Sequence, residues 1–309
     1  MSVPVNSPQP PAEVVRLAEA RMQARASKDY AASDDLRRQI TDAGWLVKDT
    51  PDGYSLSERP PYDSLATVAD IPRGAISTVA DCVVGIIVDG WADDVRACVE
   101  ALLANTAAFV VLLDNASDAG SAVHELARAN PQRIAEFHVE RAGGWAACTT
   151  ALISAHSARV HVSMDISSIV DGDALTPLSA AIQGDVVAAG WQGADVDLDD
   201  QWRSVVAAGP GEVDVLLGYL MAVDRATAEA SPPHPKATFY RNADVEWSLR
   251  LRAAGGRLVV PLADLPVHQE RHHGYHDSDP DMRDRASKKN YDRILAEFRN
   301  QPQILRPRA

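Results

Sequence analysis

Three aspartates, Asp89, Asp114 and Asp165, each stand at the end of a short apolar run. A histidine-rich stretch, His268, His272, His273 and His276, lies nearer the C-terminal end. Carboxylates and imidazoles are the side chains that hold divalent cations and move protons near neutral pH. On one helix His268 and His272 would share a face and could grip a metal together; in a loop they need not converge. The glutamate of this stretch, Glu270, is not adjacent to the first histidine, so the His-Glu-x-x-His arrangement of zinc proteases is missing. Residues 195–200 form an acidic run without the glycine and distal glutamate of an EF-hand, and read as a solvated loop. Trp191 and Trp202 are candidates either for a pocket wall or for the core.

The elements that must position these groups are legible as periodic patterns. Residues 82–88 are a continuous apolar, β-branched run, as expected for a parallel strand buried on both faces. Helical spacing over 93–104, a second apolar strand over 109–113, a helix over 121–129 and a strand over 135–139 follow. A helix over 145–158 and a strand over 160–164 continue the series. Such alternation predicts a parallel sheet with crossover helices, an α/β fold. Ligands of such sheets sit beyond the carboxyl ends of the strands. Asp89, Asp114 and Asp165 fall there.

The large domain, residues 81–276, resembles the family 2 glycosyltransferases. The likeness is carried by Asp114-Asn115-Ala116-Ser117-Asp118 at a strand end, Gly144-Trp145-Ala146-Ala147 at a helix start, and Asp165 where that family has its Asp-x-Asp motif. Asp171-Gly172-Asp173, Gly218-Tyr219-Leu220-Met221, the stretch from Ala243-Asp244 to Arg252, Gly255 to Pro261 and Val267-His268 continue it in order. The resemblance implies a GT-A fold, a mixed and mostly parallel sheet with flanking helices. It also implies a nucleoside diphosphate sugar as donor and a divalent cation, Mn or Mg, as cofactor. In the roles it implies, Asp114 accepts a hydrogen bond from the base, with Asp89, Trp91, Asn115 and Gly144 completing the nucleotide cradle. Asp165, Ser167 and His268 hold the metal and diphosphate, and Asp244 is the general base of an inverting transfer. Three places depart from the family: Ser167 offers a neutral oxygen in place of the second Asp-x-Asp carboxylate, Ala243 replaces an acidic neighbour of Asp244, and Val88-Asp89-Gly90-Trp91 stands where the first strand should end in a Thr-Tyr-Asn-like cradle.

Ahead of this domain, residues 1–11 are rich in Pro, Ser and Asn and predict a disordered start. Residues 12–56 predict a helical hairpin and a small ribbon, with Asp29 as N-cap of the second helix and Gly44 just past its end. This segment resembles the C-terminal end of cysteinyl-tRNA synthetases, through residues 24–30, 33–37 and 44–53. The ATP-binding signatures and zinc cysteines of those enzymes are missing, which excludes aminoacylation and leaves tRNA or protein docking, or simple packing, as the segment's use. Residues 57–80, with Pro60-Pro61, Pro72 and Gly74, read as a linker, and residues 277–309 as a basic, partly helical tail.

Bulk properties narrow the classes. A net charge of −13 disfavours a general phosphate-backbone binder. Cys82, Cys98 and Cys148 have no metal or disulfide spacing and fit buried thiols in a reducing cytosol. No apolar run reaches the roughly 18 residues that span a bilayer, and residues 1–11 lack a secretion signal, so the expected location is cytoplasmic. The expected function is an inverting glycosyltransferase acting on an unknown acceptor. The alternative is a degenerate GT-A-like binding or scaffold protein, docking tRNA or protein through the hairpin.

Overall fold

The computed structural model describes residues 9–307 and divides into two compact units, which meet in sequence between Asp63 and Ser64. Most of the stretch expected to be disordered, residues 1–8, lies outside the described residues.

The first unit holds α1 (Ala12–Ala26), α2 (Tyr30–Asp42), β1 (Trp45–Thr50) and β2 (Gly53–Glu58). The Asp29 carboxylate accepts from Ala32 N at 3.1 Å and caps α2. The two strands pair antiparallel from Trp45 opposite Glu58 to Thr50 opposite Gly53. Val14, Ala18, Ile40, Trp45 and Val47 form a small core of their own. Arg21, on the same helix face, is buried and bonds Asp49 through two nitrogens, at 2.6 and 3.2 Å.

The second unit opens with β3 (Cys82–Val88), α3 (Ala92–Asn105), β4 (Phe109–Asp114), α4 (Gly120–Ala129), β5 (Ile134–His138), α5 (Trp145–Ser154) and β6 (Val160–Met164). These follow the predicted alternation, except that the helix expected over 145–158 ends at Ser154. Then come β7 (Ser168–Val170), α6 (Leu175–Ala181), β8 (Val186–Gly190), β9 (Gly193–Val196), β10 (Val205–Ala208), β11 (Gly211–Val213) and β12 (Val215–Leu216). The remainder is β13 (Leu220–Asp224), α7 (Arg225–Ala230), α8 (Ala243–Ala253), β14 (Arg257–Val260), β15 (Val267–Gln269), α9 (His273–His276) and α10 (Pro280–Phe298).

One eight-stranded sheet runs in the order β11-β14-β8-β13-β6-β3-β4-β5. The four strands from β6 to β5 are mutually parallel, β13 is antiparallel to both of its neighbours, and β14 is parallel to β8. Successive residues of β3 face opposite sides. Val84, Ile86 and Val88 pack with α3, α4 and α6, whereas Val83 packs with α5.

Two expected boundaries change. From Ser64 onward the expected linker belongs to the large unit: Leu65 bridges Val139, Ile76 bridges His156, and Val68, Ile71 and Ile76 are buried against the α5 face of the sheet. Irregular chain that packs without regular hydrogen bonding carries no period to read. The tail is likewise integral, since Ile294 and Phe298 of α10 are buried with Trp202, Val245 and Leu249.

Candidate functional site

The topology brings four chain segments to one sheet edge. Asp89 follows the last residue of β3, Asp114 ends β4 in register with Val88, and Asp165 follows β6. Because β13 runs antiparallel to β6, with Leu220 opposite Met164, its leading residues Gly218 and Tyr219 arrive at the same edge. A cavity of about 520 Å³ opens there, lined among others by Asp89, Trp91, Asn115, Asp165, Ser167 and Asp244.

Asn115 is the organiser on one side of the cavity. Its Nδ2 donates to Asp89 Oδ1 at 2.7 Å and to Gly143 O at 3.1 Å, while its Oδ1 accepts from Gly143 N at 2.7 Å. Burial pushes the Asp89 carboxyl up, against the lowering effect of the Asn115 bond. Trp91 sits at φ 59° as the cap of α3, a region that a bulky side chain seldom adopts, and stacks on His273 with centroids 6.2 Å apart.

Asp165 and His272 form the polar centre of the cavity. Asp165 Oδ1 accepts from Ser167 N at 2.8 Å and from Ser167 Oγ at 2.5 Å. His272 Nε2 lies 3.2 Å from Asp165 Oδ2, an ion-pair distance at which the N–H direction still misses hydrogen-bond geometry. His272 Nδ1 accepts from Tyr275 N at 3.0 Å, which assigns the ring proton to Nε2, facing Asp165. Burial pushes Asp165 up, but His272 and Ser167 outweigh it and hold the carboxyl below its ordinary range.

Asp244 lies in the first turn of α8, behind Asn242 at φ 62°. Its Oδ2 accepts from Gly218 N at 2.8 Å and its Oδ1 from Val245 N at 2.9 Å. A Cβ at position 218 would stand 3.1 Å from Asp244 Cβ, so glycine is what permits this approach. Burial pushes the Asp244 carboxyl up more than the two backbone donors lower it. That moves it toward the range useful to a general base.

Three expected site residues lie elsewhere. Asp114 is buried with both oxygens engaged, Oδ1 by Ser117 N and Oγ and Oδ2 by His138 Nδ1 at 3.0 Å. A buried imidazole one strand over needs an acceptor, and Asp114 supplies it; the adjacent Asn115 faces the cavity instead. Gly144 does not line the cavity. A Cβ there would come within 2.9 Å of Thr238 Cα, so its smallness serves the packing of α5 against residues 237–238. His268 is exposed on β15, with Nδ1 2.7 Å from Asp171 Oδ2. Because β15 ends at Gln269 and α9 begins at His273, His268 and His272 share no helix face.

Trp202 is core, and Trp191 packs edge-on to Tyr219 outside the cavity wall. Tyr240 and Arg241 do line the cavity but escaped the sequence reading. Their place just ahead of Asp244, in the same loop, was the available signal.

No family model matches the chain. A short N-terminal segment matches cysteine–tRNA ligases: 54% identity over 46 residues with that of Opitutus terrae, 53% over 38 with that of Bacteroides thetaiotaomicron, and 49% over 48 with that of Methanosarcina mazei. These matches cover 12–16% of this chain and only 8–10% of the ligases. Among solved structures, GalNAc-T7 with UDP, GalNAc and Mn2+ superposes at TM-score 0.57, with 17% identity over 72% of this chain and 48% of that one. The mannosyltransferase PcManGT of Pyrobaculum calidifontis, in complex with GDP-Man and Mn2+, superposes at 0.51, with 15% identity over 95% and 83%. The fold is that of the GT-A glycosyltransferases. On that GT-A sheet the cavity lies beyond the carboxyl ends of β3 and β6, where open α/β sheets bind ligands. Among the described residues no group of three or more His, Cys, Asp or Glu side chains is arranged to hold a metal ion, and no helix is long and apolar enough to cross a membrane.

Proposed function

We propose that the chain is a glycosyltransferase that moves a sugar from a nucleoside diphosphate to an acceptor hydroxyl with inversion. The observation that carries this reading is the Asp244 carboxylate, fixed by Gly218 and Val245 and facing the same cavity as Asp165 and His272. Asp244 takes the acceptor proton as its oxygen bonds the anomeric carbon. The anomeric bond to phosphate breaks, and its electron pair leaves with the nucleoside diphosphate. Asp89, held by Asn115, and Trp91 offer the base a hydrogen-bond acceptor and a stacking face.

The Mn2+ of both structural neighbours raises the question of a cation here. One carboxylate suits an ion that takes its other ligands from phosphate oxygens and water. Asp165 would hold it, where it would neutralise charge on the leaving diphosphate, and the Nε2–H of His272 would remain a donor beside it. Ser167 orients Asp165 through two hydrogen bonds.

Thermal unfolding with UDP, GDP or dTDP, with and without manganese, tests the donor site. At about a hundred times its Kd a nucleotide should stabilise the protein by about 2.7 kcal/mol. Manganese should add stability only when nucleotide is present. No shift with any nucleotide would favour a scaffold protein over an enzyme. Asp244→Asn should abolish transfer and leave nucleotide binding intact; retained transfer would remove Asp244 from the base role.

A further inference from the structure

A second cavity of about 400 Å³ adjoins the first and shares Tyr219, Tyr240, Arg241 and His272 with it. These shared residues form a wall that borders both spaces, and Asp244 lines the first. Arg241 is the distinctive group of that wall. It makes no ion pair among the described residues, whereas Arg271, which lines the same chamber, pairs with Asp277 at 2.6 Å.

The guanidinium of Arg241 is nonetheless held in place. Its Nη1 donates to Tyr275 Oη at 2.8 Å, and its Cζ lies 4.9 Å from the centre of that ring. Arg283 covers the same ring at 4.2 Å and donates to Tyr275 O at 2.8 Å, so the platform is fixed from two sides. An arginine steadied by an aromatic ring and left without a carboxylate is a fork prepared for an external anion. The Tyr240 hydroxyl, buried in a ring stacked on His272 at 5.0 Å, has no partner either. Burial pushes its phenol up, so it remains a donor at neutral pH. Glu270 also lines the chamber and is the group an anion must avoid; it lies 3.4 Å from His268 Nε2.

We infer that this chamber is an acceptor subsite for a small hydroxyl compound bearing a carboxylate or phosphate, gripped by Arg241 so that its hydroxyl reaches Asp244. The inference rests on the glycosyltransferase reading for the role of the bound compound. The anion site itself does not depend on it.

Calorimetric titration of the full chain with glycerate, glycerol 3-phosphate and glycerol tests the site, each run with and without saturating GDP, UDP and dTDP. One of the two anions should bind at least about tenfold more tightly than glycerol, and Arg241→Gln should weaken it by about tenfold or more. Arg241→Lys should recover part of the loss. Preference for glycerate assigns the carboxylate as the anion, and preference for glycerol 3-phosphate the phosphate. Equal binding of all three compounds, no anion binding, or an unchanged affinity in Arg241→Gln would each overturn the site. Displacement of the anion by a nucleoside diphosphate would also overturn it, because Arg241 would then belong to the donor. If no nucleotide binds but the Arg241-dependent anion does, the donor reading fails and the anion site stands.

Discussion

At the scale of single residues, burial decides which ionisable groups are free for chemistry. His156 and His161 are both buried and stacked, with His156 Nε2 3.1 Å from His161 Nδ1. His156 Nδ1 accepts from Ala158 N, so its proton sits on Nε2 and points at the second ring, and both imidazoles are neutral. Burial lowers His156 to about 4 and His161 well below its ordinary value. The unfolded chain binds these protons near pH 6.5 and the folded chain does not. Their contribution to stability is therefore complete above about pH 6.5 and lost progressively as pH falls, the part due to His156 being lost toward pH 4 and on the order of 3 kcal/mol. Ring shifts in nuclear magnetic resonance should show neither imidazole protonating before about pH 4, in step with the falling unfolding free energy. A midpoint near 6.5 for both rings would refute the assignment. Asp114 and His138 show the same control by burial, since their pairing takes a cavity-edge carboxylate out of the site.

At the scale of elements, α10 holds the loop that carries the site. Asn290 Nδ2 donates to Phe239 O and to Arg241 O, each at 2.8 Å, and Asn242 Nδ2 donates to Ser287 Oγ at 2.9 Å. Arg293 pairs with the buried Glu246 of α8 at 2.6 Å. The helix thus anchors residues 239–246 on both sides of Asp244. Asn290→Ala leaves two carbonyls short of a donor and should cost about 1–3 kcal/mol of stability by urea titration. Transfer should fall further than nucleotide affinity, because this segment carries the proposed base and Arg241 whereas the proposed nucleotide cradle follows β3 and β4. An equal loss of both would mean that the helix supports the fold alone.

At the scale of the whole molecule, two units with separate cores share one chain. With a net charge of −13, the molecule as a whole repels a phosphate-bearing donor, so the proposed donor binding must rest on the local groups around the cavity and not on the overall field. Deleting residues 1–63 should leave the second unit folded, with its nucleotide-dependent thermal shift within about 1 kcal/mol of the full chain. A truncated chain that unfolds, or that no longer responds to nucleotide, would show that the first unit is needed by the second.

The sequence by itself determined the alternation of strands and helices and the strand ends at which Asp89, Asp114 and Asp165 stand. Each of these depends on local periodicity or on order along the chain. Asp29 and Gly44 were legible for the same reason, since a cap is a property of its own turn. Tertiary structure alone decided the partners. Asp114 was lost to the site because β5 places His138 beside it, and His268 because β15 turns it toward Asp171. Arg241 and Tyr240 joined the site because β13, α8 and α10 converge from distant parts of the chain. Residues 64–80 and α10 became part of the large unit through burial without any regular pattern of their own. Spacing specifies which residues can share an element; which element lies opposite, and hence which charges meet, is settled only by packing.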